Sequence, residues 1–349
     1  MRSGLFLTVI AAVVSALDAG AVCDTIAEPG VAMYLTPAAD TTAGPSESVM
    51  TGTIIPAPLR SGDMVAVVSP SGEAHSLDLH GVRQTLENQG WQVRIGPHAS
   101  GRHGTYSGTV EERLSDLRWA LTDPEVKAVI CTRGGYGAIH LLDSLDRLSL
   151  RDNPRWVVGF SDISALHALL NSHGIASIHG PMALSMTSPD HVSGTTQALF
   201  DILRGDSLRY VIDRHPYNRP GKVKSVLVGG NLAVIDGLAS TPYDCFRPGT
   251  ILFIEDVSEP IYKVERMLYR LKLSGVLDMI DGLIVGAFTD VAPDHNYTDM
   301  EQMIRDVVAD YDFPVAFGVP AGHVKINVPL KLGAPVTLEV TDTETIITQ

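Results

Sequence analysis

The chain has 349 residues, long enough for two domains, and its 45% hydrophobic and 19% charged residues are typical of a globular protein. Forty acidic residues against 26 basic ones give a formal net charge of −14. Because phosphate binding needs a basic surface, this balance excludes nucleic acid as an expected partner. No apolar run reaches 18 residues, so no transmembrane span is predicted.

The first 53 residues differ in texture from the rest of the chain. Arg2 precedes a largely apolar run at 5–17 and then small residues, which predicts a signal peptide over 1–22 and export to the periplasm. Residues 23–53 are rich in Ala, Thr, Pro and Ser and are predicted to be a linker. The alternative is a translation start at Met50, which would make the protein cytoplasmic.

From residue 54 to 205, short β-branched runs alternate with stretches of helical periodicity. This alternation predicts an N-terminal α/β domain with an open, mostly parallel sheet. The predicted strands are 63–68, 91–95, 126–131 and 156–160, and the predicted helices are 77–89, 110–121 and 163–171.

The second half of the chain is richer in short strands separated by Gly and Pro. Residues 205–225 are polar and contain Pro216 and Pro220, which predicts a crossing between domains. Residues 222–349 are then expected to form a β-rich α+β domain. The predicted strands are 225–228, 250–254, 282–287, 336–340 and 344–348, and the predicted helices are 261–273 and 298–311.

Ser161 lies where the predicted strand 156–160 gives way to a helix. This placement is similar to a nucleophile elbow, in which a sharp turn presents a serine hydroxyl. The pattern is incomplete because Ile163, not glycine, follows two residues later. The alternative is that Ser161 only caps the following helix.

A serine nucleophile needs a base and a carboxylate that orients the base. Among the twelve histidines, His323 is favoured because it lies in a tight loop, and His179 is the best local rival. His167 lies within a predicted helix, where a packed or surface histidine is expected. The acidic pair Glu255 and Asp256 directly follows a predicted buried strand and supplies the candidate carboxylate.

Residues 134–137 form a glycine-rich loop after the strand 126–131, and such a backbone can approach a ligand closely. A phosphate cradle is the lesser interpretation, because the loop lacks Gly-x-Gly-x-x-Gly and has no following Lys-Ser/Thr. The three cysteines, Cys23, Cys131 and Cys245, share no metal-ligand spacing. Neither a metal nor an organic cofactor is expected.

Together these segments resemble the LD-carboxypeptidase family (muramoyltetrapeptide carboxypeptidases), which also includes the microcin C immunity peptidases. The resemblance covers essentially residues 54–349. The motifs that carry it are Leu59-Arg60-Ser61-Gly62-Asp63, Ser69-Pro70-Ser71-Gly72, Glu112-Arg113, Asp116-Leu117, Arg133-Gly134-Gly135-Tyr136-Gly137, Gly159-Phe160-Ser161-Asp162, His179-Gly180-Pro181, Gly229-Gly230-Asn231-Leu232, Glu255-Asp256-Val257, Tyr262-Lys263-Val264-Glu265-Arg266 and Pro320-Ala321-Gly322-His323.

The resemblance implies a catalytic triad of Ser161, Glu255 and His323 in the cleft between the two domains, and a homodimer. In this arrangement the backbone N–H of Asp162, with that of Gly134 or Gly135, would form the oxyanion hole. The Asp162 carboxylate is expected to anchor structure rather than to react.

The implied function is hydrolysis of the L,D-peptide bond that releases terminal D-Ala from murein tetrapeptides. One alternative is a microcin C immunity-like peptidase that cleaves a peptide–nucleotide conjugate, for which Tyr243 and Phe246 are the candidate base-stacking residues. Another alternative is a non-catalytic binding protein of the same fold. A glutamine-amidotransferase-like domain would need a cysteine nucleophile, and position 161 is serine.

Overall fold

A computed structural model describes residues 25–28, 30–36, 52–188 and 192–349 of the chain. The signal peptide predicted at 1–22 and the alternative start at Met50 lie outside these residues. The strands are β1 (Thr25–Glu28), β2 (Val31–Thr36), β3 (Met64–Val68), β4 (Gln92–Ile95), β5 (Val126–Cys131), β6 (Trp156–Gly159), β7 (Ser177–His179), β8 (Ser207–Asp213), β9 (Gly221–Asn231), β10 (Thr250–Val257), β11 (Gly282–Thr289), β12 (Val315–Ala316), β13 (Leu330–Leu332), β14 (Pro335–Val340) and β15 (Glu344–Thr348).

Ten α-helices are present within the described residues. They are α1 (Ser76–Glu87), α2 (Val110–Thr122), α3 (Leu142–Leu145), α4 (Ser164–Ser172), α5 (Ala183–Thr187), α6 (Ser193–Arg204), α7 (Leu232–Gly237), α8 (Ile261–Leu273), α9 (Val276–Met279) and α10 (Met300–Val307). Two short 3₁₀ helices, 138–141 and 161–163, precede α3 and α4. None of the helices in this part of the chain is long and apolar enough to cross a membrane.

The first sheet has six strands in the order β13-β7-β6-β5-β3-β4. Five of them are parallel, and β13 adds an antiparallel edge. Their side chains are buried at almost every position of β3, β5 and β6, as expected of a parallel sheet covered on both faces. The strand order reverses between β3 and β5, so the loops at their carboxyl ends form the crevice where such sheets bind ligands.

The second sheet has nine strands in the order β1-β2-β8-β15-β14-β9-β10-β11-β12. Strands β9 to β12 are parallel, and the remaining neighbours pair antiparallel. The predicted combination of an open parallel-sheet α/β domain with a β-rich α+β domain is therefore confirmed. The carboxyl ends of β9 and β10 lie side by side, with Glu255 opposite Asn231.

The linker predicted at 23–53 is wrong in part, because β1 and β2 form a hairpin that pairs with β8. Val31 and Met33 are buried while Ala32 and Tyr34 are partly exposed, which is the period of two expected of a strand. The composition of residues 23–53 as a whole does not reveal this short alternation of buried and partly exposed residues. Strands β1 and β2 therefore belong to the second sheet, although they precede every strand of the first sheet in the sequence.

The crossing predicted at 205–225 is also shorter than expected. It contains β8 and the start of β9, so only residues 214–220 connect the two strands. Strand β13, although it comes from the C-terminal half of the chain, pairs with β7 of the first sheet. The main apolar core contains Val65 and Ile178 from the first sheet and Phe253 and Leu338 from the second. The two sheets are thus held together by a common apolar core.

Candidate active site

Ser161 is the first residue after β6 and its loop residue Phe160, and its φ of 64° lies in the left-handed region. For a residue other than glycine this backbone conformation costs about 1–2 kcal/mol and persists only where the surroundings enforce it. Ile163, not Ser161, occupies the N-cap of α4. The interpretation of Ser161 as a helix cap is therefore wrong, and the structure forms a strand–turn–helix elbow.

The elbow forms although its usual second glycine is missing. A Cβ on Gly159, two residues before the serine, would lie 2.8 Å from the side chain of Ile163, two residues after it. Glycine at the earlier position therefore makes room for isoleucine at the later one. The glycine-rich loop approaches from the other side, since a Cβ on Gly134 would lie 2.8 Å from Ser161 Oγ. Any larger residue at 134 would collide with the nucleophile candidate.

The carboxylate of Asp162 is turned away from the cleft and is 4% exposed. It accepts a hydrogen bond from Ser71 Oγ at 2.6 Å and another from the backbone N–H of Ala138 at 2.8 Å. These bonds connect the elbow to the loops that follow β3 and β5. Asp162 thus anchors structure, as expected, and leaves its own backbone N–H beside the turn.

Arg113 is a buried cation, which the sequence indicated only as part of the Glu112-Arg113 motif. Its Nη1 donates to the carbonyl oxygens of Pro70 at 2.6 Å and Gly137 at 2.9 Å, and its Nε donates to that of Gly108 at 3.2 Å. Burial lowers the pKa of the guanidinium from its usual value. The side chain holds both loops at the carboxyl edge of the first sheet in fixed positions.

Glu255 is fully buried near the end of β10, where the register with β11 shifts. Its Oε2 accepts a hydrogen bond from His323 Nδ1 at 2.8 Å, and its Oε1 lies 3.7 Å from His179 Nε2. Burial by itself raises the pKa of this carboxyl, but the two histidines outweigh it and the pKa is lowered overall. Glu255 is therefore ionised at neutral pH.

The bond to Glu255 determines which nitrogen of His323 is available for chemistry. Because an ionised carboxylate only accepts, Nδ1 carries the proton and the neutral ring presents Nε2 as a base. The His323 ring packs edge-on against Phe160 with 5.0 Å between ring centroids, so it lies beside the elbow. No hydrogen bond joins Ser161 to His323, and catalytic hydrogen bonds of this kind often become short and well aligned only in the substrate complex.

The other histidines near the elbow are enclosed. His179 is 0% exposed, whereas the side chain of His323 is 21% exposed, so of the two only His323 is open to a substrate. His167 is packed within α4 and its Nε2 donates to the carbonyl of Gly159 at 2.8 Å. Burial lowers the pKa of His167 to about 3. Of the two expectations for His167, a packed or a surface residue, the structure shows the packed one.

Asp256 has a different task from its neighbour Glu255. Its carboxylate accepts from Asn231 Nδ2 at 2.9 Å and from the backbone N–H of Ala233 at 2.9 Å, which organises the start of α7. The backbone N–H of Asn231 in turn donates to Ser164 Oγ at 2.9 Å, at the first turn of α4. The end of β9 is thereby joined to the helix that follows the elbow.

A cavity of about 390 Å³ opens beside the His323 ring, between the first sheet and the loop at 323–327. Its lining combines apolar side chains, hydroxyls, an amide and a lysine. The lining residues are Phe160, Pro181, Ser185, Ser188, Val192, Thr195, Thr196, His323, Val324, Lys325 and Asn327. Across the described ranges, no cluster of three or more His, Cys, Asp or Glu is arranged to hold a metal ion.

The two halves of this site match two family models, one for each half. Residues 65–180 match the LD-carboxypeptidase N-terminal domain, and residues 224–338 match the LD-carboxypeptidase C-terminal domain. Ser161 lies within the first match, and Glu255 and His323 lie within the second. The chain belongs to the LD-carboxypeptidase family, and it is therefore a peptidase.

Named relatives agree with the family assignment. The murein tetrapeptide carboxypeptidase of Pseudomonas aeruginosa is 32% identical over 79% of this chain and 92% of its own. The crystal structure of a muramoyltetrapeptide carboxypeptidase from Oxalobacter formigenes matches with a TM-score of 0.76 and 30% identity, over 82% of this chain and 98% of that one. A microcin C7 self-immunity protein matches at 23% identity with a TM-score of 0.72, covering 85% of this chain and 98% of its own, and shares the fold.

Proposed function

We propose that this protein is a serine-type LD-carboxypeptidase that releases the terminal D-Ala from murein tetrapeptides, with Ser161, Glu255 and His323 as its catalytic triad. One observation carries the proposal: the buried Glu255 binds His323 Nδ1 at 2.8 Å, and that ring packs against Phe160, the residue before the positive-φ serine. The names of the two murein-specific relatives support the choice of substrate.

In the proposed reaction, Ser161 Oγ attacks the scissile carbonyl carbon while His323 Nε2 accepts the hydroxyl proton. Glu255 stabilises the imidazolium that forms. The C–N bond then breaks as His323 returns the proton to the leaving amine of D-Ala, which leaves an acyl-enzyme. Water, deprotonated by His323, attacks the acyl carbon and restores the free serine.

The oxyanion of each tetrahedral intermediate would be bound by the backbone N–H of Asp162 together with that of Gly134 or Gly135. The close approach of Gly134 to Ser161 supports this assignment. The hydrogen bonds from Ser71 and Ala138 to the Asp162 carboxylate keep the two loops from shifting during the reaction. A donor placed in advance in this way contributes about 3–4 kcal/mol to catalysis.

Mass spectrometry of a murein tetrapeptide incubated with the wild-type protein tests the proposal directly. Loss of a single alanine residue is expected with wild type, and Ser161→Ala is expected to lower kcat by on the order of 10⁶-fold. The rate should be the same with and without EDTA, because no step uses a metal. Full activity of Ser161→Ala would eliminate the triad, and absence of cleavage by wild type would eliminate the substrate.

The microcin C-type alternative has less support, because the two candidate base-stacking residues are enclosed. Tyr243 and Phe246 are 7% and 8% exposed and belong to apolar clusters. The Tyr243 hydroxyl donates to Asp143 at 2.9 Å, and Arg270 lies over the Phe246 ring. For the non-catalytic alternative, labelling of Ser161 by an alkylphosphonate decides, since a protein without a working triad would not react.

Two further properties belong to the proposal and have their own tests. We expect a homodimer, as the family resemblance implies, and light scattering of the purified protein measures it. We also expect export directed by residues 1–22, which N-terminal sequencing of the mature protein tests. An N-terminus at Met50 would instead support the cytoplasmic alternative.

A further inference from the structure

A cavity opens beside His323, the residue proposed to protonate the leaving group. In the proposed reaction His323 gives its proton to the amine of the released residue, so that residue must lie against the exposed face of this ring. The cavity opens there, bordered by Phe160 and Pro181. Its volume of about 390 Å³ is at the lower end of the usual range for ligand pockets, which suits a small group.

One lining residue has an unused hydrogen-bond donor. Asn327 is 5% exposed, and its Oδ1 accepts from the backbone N–H of Gly322 at 2.9 Å. Because a backbone N–H only donates, this bond assigns the oxygen to that side and the NH₂ group to the other. The buried Nδ2 has no hydrogen-bond partner. A buried donor without an acceptor destabilises the fold, so a ligand that supplies an acceptor is expected here.

The charges around the cavity favour an anionic acceptor. Lys325 lines the cavity two residues after His323, and its side chain is exposed. None of the described residues that line the cavity is acidic, although acidic residues outnumber basic ones by 40 to 26 in the whole chain. Hydroxyl groups of Ser185, Thr195 and Thr196 complete a polar wall. A carboxylate is the group that an amide N–H and an ammonium bind together.

We propose that this cavity is the subsite for the C-terminal residue of the substrate, and that Asn327 Nδ2 and the Lys325 ammonium bind its free α-carboxylate. The inference rests on the proposed function and adds the basis of its exopeptidase specificity. A peptide that continued beyond the released residue would place a neutral amide here instead of a carboxylate. The ammonium of Lys325 would then face a neutral group, and the small cavity would have to hold a longer chain.

Two matched murein tetrapeptides test this subsite, one ending in free D-Ala and the other in D-Ala carboxamide. With wild type, kcat/KM for the acid should exceed that for the carboxamide by about tenfold or more, which is the value of one charge-assisted hydrogen bond. The carboxamide has the same size and the same scissile bond. The comparison therefore isolates the terminal charge.

Two substitutions assign the preference to named residues. Asn327→Asp keeps an oxygen for the Gly322 N–H and replaces the NH₂ donor with an acceptor that repels a carboxylate. It should raise KM for the acid by about tenfold or more and affect the carboxamide less. Lys325→Gln should act in the same direction. Lys127→Gln removes one positive charge at an exposed position of β5 and serves as the control. It should leave the kinetic constants for both substrates unchanged.

The outcomes separate this inference from the function on which it rests. If wild type cleaves the acid and the carboxamide equally well, the carboxylate subsite is eliminated and the carboxypeptidase proposal stands. If wild type cleaves neither peptide, both are eliminated. If Asn327→Asp and Lys325→Gln slow both substrates to the same extent, the residues support the His323 loop and do not recognise the carboxylate.

Discussion

The elbow on the first sheet and the Glu255–His323 pair on the second are stabilised in opposite ways. The elbow holds a strained backbone, with Ser161 at a φ of 64°, but its nucleophile is a neutral hydroxyl. The pair instead contains a buried charge. Glu255 is 0% exposed, and its two carboxylate oxygens face His179 and His323. The proposed nucleophile is thus positioned by strain, and the proposed base by a buried charge whose removal is costly.

The two regions also differ in what keeps them in place. The elbow depends on hydrogen bonds between nearby loops, notably from Ser71 and Ala138 to Asp162. The pair depends on the second sheet being docked against the first, through the shared core and the bond from Asn231 N–H to Ser164 Oγ. Substitutions in the elbow and substitutions in the Glu255–His323 pair should therefore differ in how much they change activity relative to the free energy of unfolding.

With the serine in place, the largest loss of activity is expected where the charged region is broken. Glu255→Gln keeps the shape of the side chain but removes the charge that stabilises the imidazolium and fixes the His323 tautomer. We expect kcat to fall by on the order of 10⁴-fold, measured as D-Ala release at neutral pH. Asp256→Asn is the matched control, because that carboxylate organises α7 and does not touch His323. A larger loss in Asp256→Asn than in Glu255→Gln would reverse the assignment.

A medium effect is expected at His167, which binds the carbonyl of Gly159 below the elbow. Burial lowers its pKa from 6.5 to about 3. Between these values the unfolded chain binds a proton that the folded protein does not, so the free energy of unfolding falls as pH decreases below about 6.5. The loss from this group is about 1.4 kcal/mol per pH unit.

His167→Gln retains a donor for the Gly159 carbonyl and removes the titrating ring. Urea unfolding at several pH values between about 7 and 4.5 should therefore show a shallower decline in the free energy of unfolding than in wild type. The variant's stability at pH 7 serves as its own reference, so a general loss of stability does not confuse the result. Parallel declines in the two proteins would contradict the buried, neutral state of His167.

The smallest change in the free energy of unfolding is expected from the strain at the elbow. Ser161→Gly relieves the left-handed backbone, so we expect the free energy of unfolding to rise by about 1 kcal/mol while activity is lost. Ser258→Gly, at another positive φ of 60°, should also stabilise the protein. Ser149→Gly, at an exposed position that is not among the positive-φ residues, should not. Urea unfolding of the three variants measures the difference, and a less stable Ser161→Gly would show that the serine is not strained.

Several elements were predictable because their own residues determine them. The helix predicted at 261–273 is α8 with the same bounds, and the strands predicted at 126–131 and 344–348 are β5 and β15. The helix has a period of about 3.6, β5 is a short apolar run and β15 alternates, and each has a Gly, Pro or Asp within two residues of an end. The short strands β7, β8 and β13 were missed, because their hydrogen-bond partners lie far away in the sequence.

For the candidate site, the sequence by itself determined the residue types and the turn: a serine between a strand and a helix, an acidic pair after a buried strand, and a histidine in a tight loop. The tertiary structure decided which acid faces His323, which histidine stays exposed, and that the polar side chains of Arg113 and Asn327 are buried. These choices depend on contacts between residues such as Glu255 and His323, which are 68 positions apart. Local periodicity carries no information about such contacts, because only the packing of the two sheets brings them together.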